Sequence, residues 1–218
     1  MRVVIPFKKE NAKTRLSEIL SEKQRQDFAL EMLLDVISEL EASEKFNEIE
    51  ILNSSIFSIM NTEFPGNVNV LLSEKDLNGA LNEYLEKLAS HNMDEVLIIM
   101  ADMPLVTKKH LLELTSLTAD LVIAPGSRGG TNALLIRKPD KFHVDYYGTS
   151  FLDHLKIAEE AGLSVDIYDS FMMSTDIDEP KDLVELLIHG KGRAAQYLRS
   201  IGITLDTNTA RLVFNNYK

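Results

Sequence analysis

Asp102 closes the apolar run Val96 to Met100, and Pro104 follows two residues later. A run this short, unbroken by polar side chains and rich in β-branched residues, predicts a central strand buried on both faces. Proline cannot donate to a sheet ladder, so the strand stops there. The carboxylate is then held at the carboxyl edge of a buried strand, where open α/β sheets bind their ligands. On such a base an aspartate suits Mg²⁺ carrying a phosphate-bearing substrate. The alternative is an aspartate that caps a turn with its own hydrogen bonds. Asp176 and Asp178 form a second acidic pair, two residues apart, which in an extended segment point the same way. One of them, beside a helix opening at Pro180, could complete a metal site with Asp102. Otherwise Asp178 caps that helix and Asp176 is solvated.

Cations gather at the other end of the chain. Residues 1 to 15 carry Arg2, Lys8, Lys9, Lys13 and Arg15 against the single acid Glu10, in a protein of net charge −11. An acidic protein that handles a polyanion needs such a local basic pocket. The loop from Pro6 to Leu16 contains no glycine, so it is neither a P-loop nor a dinucleotide fingerprint. Any grip on phosphate must come from Lys and Arg side chains and loop amides. A solvated linker is the other reading of the same charges.

Three further stretches carry polar groups that could touch a ligand. Asn78-Gly79 could form a tight turn offering amides and a carboxamide to a base or ribose, or could be an ordinary helix entry. Residues 125 to 132 are the most glycine-rich in the chain and end in Thr131 and Asn132. They read as an anion site with close backbone approach, or as a long hairpin loop. Tyr147-Gly148-Thr149-Ser150 precedes a helical stripe, so Thr149 or Ser150 would be its N-cap and the helix start an anion site. His154, one turn in, reads as structural or solvent-facing rather than as a catalyst.

These groups need a frame. Strands are expected at Val3–Ile5, Ile49–Leu52, Val68–Leu72, the run before Asp102, Leu121–Ala124, Ala133–Ile136, Val165–Tyr168 and near Leu212–Phe214. A capping box at Ser21 opens a helix whose inner stripe is Phe28, Met32, Leu33, Val36, Ile37 and Leu40. Further helices follow Asn78, Thr107, Thr149 or Ser150, and Pro180, with one over Ala194–Ile201 and a short one over 54–60. The alternation points to an α/β fold, a mostly parallel sheet with helices on both faces. No linker, repeat or low-complexity tract interrupts it, so one domain over 1–218 is expected.

With 44% hydrophobic residues among 218, the chain can build a sizeable core. Net acidity argues against a nucleic-acid or anionic-membrane surface. No apolar run has the length of a membrane span. The absence of cysteine excludes disulfide and thiolate chemistry and fits a reducing cytoplasm.

Taken together, Ile5-Pro6-Phe7-Lys8 with Lys13-Thr14-Arg15-Leu16, Ala101-Asp102-Met103-Pro104-Leu105, Gly130-Thr131-Asn132-Ala133-Leu134, Tyr147-Gly148-Thr149-Ser150-Phe151 with His154, and Asp176-Ile177-Asp178-Glu179-Pro180-Lys181-Asp182-Leu183 carry a resemblance over nearly the whole chain. The sequence resembles the 2-phospho-L-lactate guanylyltransferases of coenzyme F420 biosynthesis, within the GT-A-like nucleotidyltransferases. The two aspartate motifs are shared by many sugar and cofactor nucleotidyltransferases. The Lys-x-Arg-Leu, Gly-Thr-Asn-Ala and Gly-x-Ser-Phe pieces belong to the narrower family. Lys and Arg stand where the wider superfamily has a glycine-rich loop, which is the narrower family's habit.

The resemblance implies a three-layer α/β/α nucleotide-diphospho-sugar transferase fold. It implies transfer of GMP from GTP to 2-phospho-L-lactate, giving lactyl-2-diphospho-5′-guanosine and pyrophosphate. Phosphoenolpyruvate, 3-phosphoglycerate, or a sugar or molybdenum-cofactor acceptor are the alternatives. Asp102 and Asp178 would hold Mg²⁺, with Asp176 the second choice. Lys13 and Arg15, with Lys8, would steady the triphosphate. Thr131, Gly148 and Ser150 would hold the acceptor, with Asn132 beside them, and Asn78 and Gly79 would be the weaker candidates for the base. A cytoplasmic homodimer is implied as well.

Overall fold

The computed structural model describes residues 1–10, 12–55, 59, 62–91 and 95–214. The apolar runs become strands β1 (Arg2–Phe7), β2 (Glu48–Asn53), β3 (Val68–Leu72), β4 (Val96–Ile99), β5 (Leu121–Pro125), β6 (Thr131–Ile136) and β7 (Val165–Ile167). Among the described residues they form one sheet in the order β3-β2-β1-β4-β6-β5-β7. All pairings are parallel except those of β6, which runs against β4 and β5. Every residue of β4 and β6 is buried, as a strand covered on both faces requires.

Side-chain alternation divides the core. Val3, Ile5 and Phe7 of β1 face α1 (Glu22–Ala42), while Val4 faces α2 (Leu77–Ser90). The α1 layer also holds α3 (Lys108–Ser116), α5 (Phe171–Ser174), α6 (Pro180–His189) and α7 (Arg193–Ser200), and the α2 layer holds α4 (Ser150–Glu160). The expected capping box at Ser21 is present, with Gln24 answering it. A hairpin of β8 (Ile203–Asp206) and β9 (Arg211–Phe214) stands apart from the main sheet. The short helix expected over 54–60 falls mostly outside the described residues. No helix among the described residues is long and apolar enough to cross a membrane.

Asp35 of α1 is mostly buried, yet it is used: the backbone N–H groups of Arg193 and Ala194 donate to its two oxygens at 2.7 and 3.0 Å. A carboxylate from another helix thus satisfies the orphan donors that open α7. Gly192 lies against it, and a Cβ there would sit 2.3 Å from Asp35 Oδ1. Gly192→Ala must therefore push Asp35 off both amides. It is expected to cost about 1–3 kcal/mol, read as a lower urea midpoint at unchanged slope.

Candidate functional site

Because β1, β4, β5 and β7 are parallel and β6 runs backwards, the ends of the first four and the start of β6 meet on one edge of the sheet. The loop after β1, Asp102 after β4, the 126–130 loop and the segment after β7 all open there. The backbone N–H of Ile177 donates to the carbonyl of Asp102 at 3.0 Å, tying the second acidic segment to the first.

Lys13 lies at the centre. Its Nζ donates to Asp102 Oδ2 at 2.6 Å and to Asp178 Oδ1 at 2.7 Å. The residue has φ 51°, in the left-handed region, and opens one turn of 3₁₀ helix over Thr14–Leu16. For a non-glycine residue that backbone costs about 1 kcal/mol or more, offset here by the two ion pairs. Burial works against the ammonium, but Asp102 and Asp178 more than compensate and its pKa is raised. Burial likewise opposes the Asp178 carboxylate, yet Lys13, Arg128 and Arg15 hold its pKa below the ordinary value.

Arg15 Nη1 reaches Asp178 Oδ2 at 3.4 Å from an exposed position. Arg128, from the glycine-rich loop, binds Asp176 at 2.8 Å, Asp182 at 3.2 Å and Asp178 at 3.5 Å. Asp182 Oδ2 also accepts the backbone N–H groups of Asp178 and Glu179, at 3.0 and 2.8 Å. Carboxylates outnumber cations in this cluster. Asp176, with its pKa raised first by burial and then by the Asp102 charge, turns to Arg128 rather than to Lys13. Asp178 therefore shares Lys13 with Asp102, and Asp176 does not. Asp102 Oδ1 is buried and has no hydrogen-bond partner among the described residues.

The polar tips of β6 sit next to this cluster. Ala124 pairs with Ala133, but Pro125 pairs with Thr131, so Asn132 is an extra residue in its strand. The bulge breaks the alternation and re-aims both side chains. Asn132 Nδ2 turns to the α5 side, donating to the carbonyl of Met173 at 2.9 Å and reaching Asp176 Oδ1 at 3.5 Å. Thr131 turns to α4, with its Oγ1 3.4 Å from Ser150 Oγ and 2.9 Å from His154 Nδ1. Gly148, at φ 69°, supplies the left-handed turn that leads into α4.

Lys8 lines a cavity of about 290 Å³ beside Lys13, Asp102 and Asp178, and a second of about 610 Å³ that runs past Asn53, Ser73 and Asp76. The two share Pro6, Phe7, Lys8 and Met100, so one groove leads from the acidic cluster to the end of β3. A further cavity of about 740 Å³ continues under α2, against Arg2, Glu50 and Tyr84.

Two expectations are corrected. Arg2 does not join the basic pocket: it starts β1 at the opposite edge and pairs with Glu48 and with Glu50, the latter at 3.1 Å. Asn78 does not offer a free carboxamide. Its Nδ2 donates to Asp145 Oδ1 at 2.9 Å, and its Oδ1 accepts the N–H of Tyr146 at 2.8 Å. Gly79 likewise spends its N–H on Asp76 Oδ1 at 2.8 Å, which caps α2. Asn78 thus braces the strap that leads to Gly148, and Gly79 belongs to an ordinary helix entry, the alternative reading of this stretch. Of the two readings of His154, structural or solvent-facing, the structure shows the first: the ring is wholly buried, in line with its place on the stripe Phe151, His154, Leu155, Ala158. The role of Arg128 was missed, and nothing in its local sequence singles out its carboxylate partners.

Comparison with known proteins follows the same lines. The family described as "Guanylyl transferase CofC like" matches residues 1–215. A 2-phospho-L-lactate guanylyltransferase of Methanocella arvoryzae is 49% identical over 212 residues, covering 97% of this chain and 91% of that protein. One from Methanosarcina mazei is 50% identical over 200 residues, with 92% of each chain covered. Among solved structures, a Desulfovibrio desulfuricans protein described provisionally as a nucleotide-diphospho-sugar transferase superposes with a TM-score of 0.74 at 19% identity, over 92% of this chain and 95% of that one. A cytidylyltransferase from Leptospira borgpetersenii gives 0.57 at 14%, over 92% of each. At such identities these two likenesses speak for the fold alone, the three-layer α/β/α arrangement described above.

Proposed function

The chain belongs to the CofC-like guanylyl transferase family, and from that premise we propose that it transfers GMP from GTP to the phosphate of 2-phospho-L-lactate. The observation that carries this reading is the meeting of Lys13 with Asp102 and Asp178 on the edge where Thr131 and Ser150 also lie. An acceptor phosphate oxygen attacks the α-phosphorus of GTP. One P–O bond forms, the α–β bridging P–O bond breaks, and pyrophosphate leaves. Two anions must be brought together, so alignment and charge neutralisation carry most of the catalysis.

Lys13, Arg15 and Lys8 supply positive charge for the triphosphate and the departing pyrophosphate. Thr131, Ser150 and the amides beside Gly148 hold the acceptor's phosphate and carboxylate at the start of α4. The nucleoside lies along the groove that leads from Lys8 to the end of β3. A divalent cation, Mg²⁺, belongs to the same reading, supported by the buried Asp102 oxygen that has no partner among the described residues and by the surplus of hard carboxylate oxygens. Asp102 and Asp178 would hold it, and bound there it would neutralise charge on the α-phosphate.

The test is pyrophosphate release from GTP and Mg²⁺ against a panel of acceptors. Turnover is expected with 2-phospho-L-lactate ahead of phosphoenolpyruvate and 3-phosphoglycerate, and none with sugar phosphates. A sugar phosphate or molybdenum-cofactor precursor turned over in preference would overturn the acceptor assignment.

A further inference from the structure

His154 lies on α4 with none of its surface exposed, packed against Phe142 and Tyr146 at ring-centroid distances of 5.8 and 5.0 Å. Its two nitrogens face unlike partners. Nε2 is 3.1 Å from the backbone nitrogen of Asp145, a group that can only donate, so Nε2 accepts. Burial holds the ring neutral, its pKa pushed down to about 4, and a neutral ring has one proton. That proton must be on Nδ1, which faces Thr131 Oγ1 at 2.9 Å. Thr131 is therefore an acceptor towards His154.

The consequence runs outward. Thr131 and Ser150 bring one hydroxyl proton each, and their oxygens are 3.4 Å apart. Whichever of them donates to the other, one O–H is left over and must be used outside the row. The row ends in a donor. With the opposite tautomer Thr131 would spend its proton on Nδ1, and the row would present a lone pair to any anion in front of it.

The direction is built in from α2. Asn82 accepts the N–H of Val144 at 2.8 Å and donates to its carbonyl at 3.1 Å, while Asn78 holds Asp145 and Tyr146. Two asparagines one helical turn apart thus clamp the strap whose Asp145 N–H points at the ring.

Resting on the acceptor reading above, we propose that His154 is a positioning residue. Oriented by the Asp145 N–H, it fixes the Thr131–Ser150 pair as a hydrogen-bond donor to the acceptor's phosphate or carboxylate.

The first test uses the wild-type protein. Long-range proton–nitrogen spectra of protein labelled with ¹⁵N-histidine are expected to show His154 as the Nδ1–H tautomer, with its signals shifted by 2-phospho-L-lactate and not by GTP alone. The Nε2–H tautomer, or signals indifferent to the acid, would overturn the proposal. The second test is kinetic. His154→Phe is expected to raise the KM for the acceptor about tenfold, leaving the KM for GTP within about twofold. His154→Asn, whose amide can still donate to Thr131, is expected to recover part of the loss. In a Thr131→Val background His154→Phe should add nothing further, because it acts only through that hydroxyl. Multiplying effects, or equal rises in both KM values, would show a merely structural role. If His154→Phe does not fold, the spectra of the wild type still decide. A wild-type protein that turns over no phosphorylated acid would remove the acceptor reading without changing the tautomer, which tells the two failures apart.

Discussion

Asp102→Asn is expected to reduce pyrophosphate release by about 10³-fold or more, the loss of roughly 4 kcal/mol of transition-state stabilisation. The substitution keeps the shape of the side chain and removes its charge. The fold should survive, because the bond that ties the 176–178 segment to this position uses the backbone carbonyl of Asp102. What is lost is the anionic oxygen that lies buried without a partner among the described residues, and the attraction that holds Lys13 in place. Turnover should be measured with Mg²⁺ and Mn²⁺ beside a thermal melt. An unchanged melting temperature with turnover within tenfold of wild type would remove both the cation and the catalytic role assigned to this aspartate.

Lys13→Met is the second large effect, with turnover expected to fall about 10²-fold or more, as when one preorganised charge or donor is taken from a transition state. It should also change how stability depends on pH. Lys13 is one of the cations that keep the pKa of Asp178 low despite burial. A carboxylate with a depressed pKa contributes stability above its unfolded value, ordinarily 3.8, and loses it as pH falls through the folded value. The raised pKa of Lys13 acts at the other end: its contribution is complete below the ordinary 10.5 and fades as pH rises through the folded value. The gap in melting temperature between wild type and Lys13→Met should therefore be widest between these limits and close towards acid. A gap that is constant from neutral to acid pH would mean that the ammonium does not stabilise these carboxylates.

How much of this was legible in the chain follows from the kind of signal each part leaves. Strand β4 and Asp102 were readable because burial on both faces demands an unbroken apolar run and proline ends it locally. The clustering of Lys13 with the aspartates was suggested by residue type, but its geometry was not. Lys13 is 89 residues from Asp102 and 165 from Asp178, and such pairings are set by strand order, which no local pattern encodes. The partners of the Asn78 carboxamide leave no local signal for the same reason: they lie at 145 and 146. The sequence pattern places Thr131 and Asn132 in the loop before a strand from Ala133, whereas the strand already begins at Thr131.

That early start has a cost and a use. Adjacent residues on a regular ladder also face opposite layers, but on an unbulged ladder continuing from Ala133, which packs in the α1 layer, Asn132 would face the α2 layer and Thr131 the α1 layer. The one-residue insertion exchanges them, so that two neighbours on a single peptide link face the Ser150–His154 pair and the acidic cluster at once. The spacing between these two anchor points is then set by covalent geometry, about 3.8 Å from one Cα to the next, rather than by the drift of a loop. Deleting Asn132 would mend the sheet and leave Thr131 opposite Pro125 on the α4 side, but it would remove the amide that ties β6 to Met173 and Asp176.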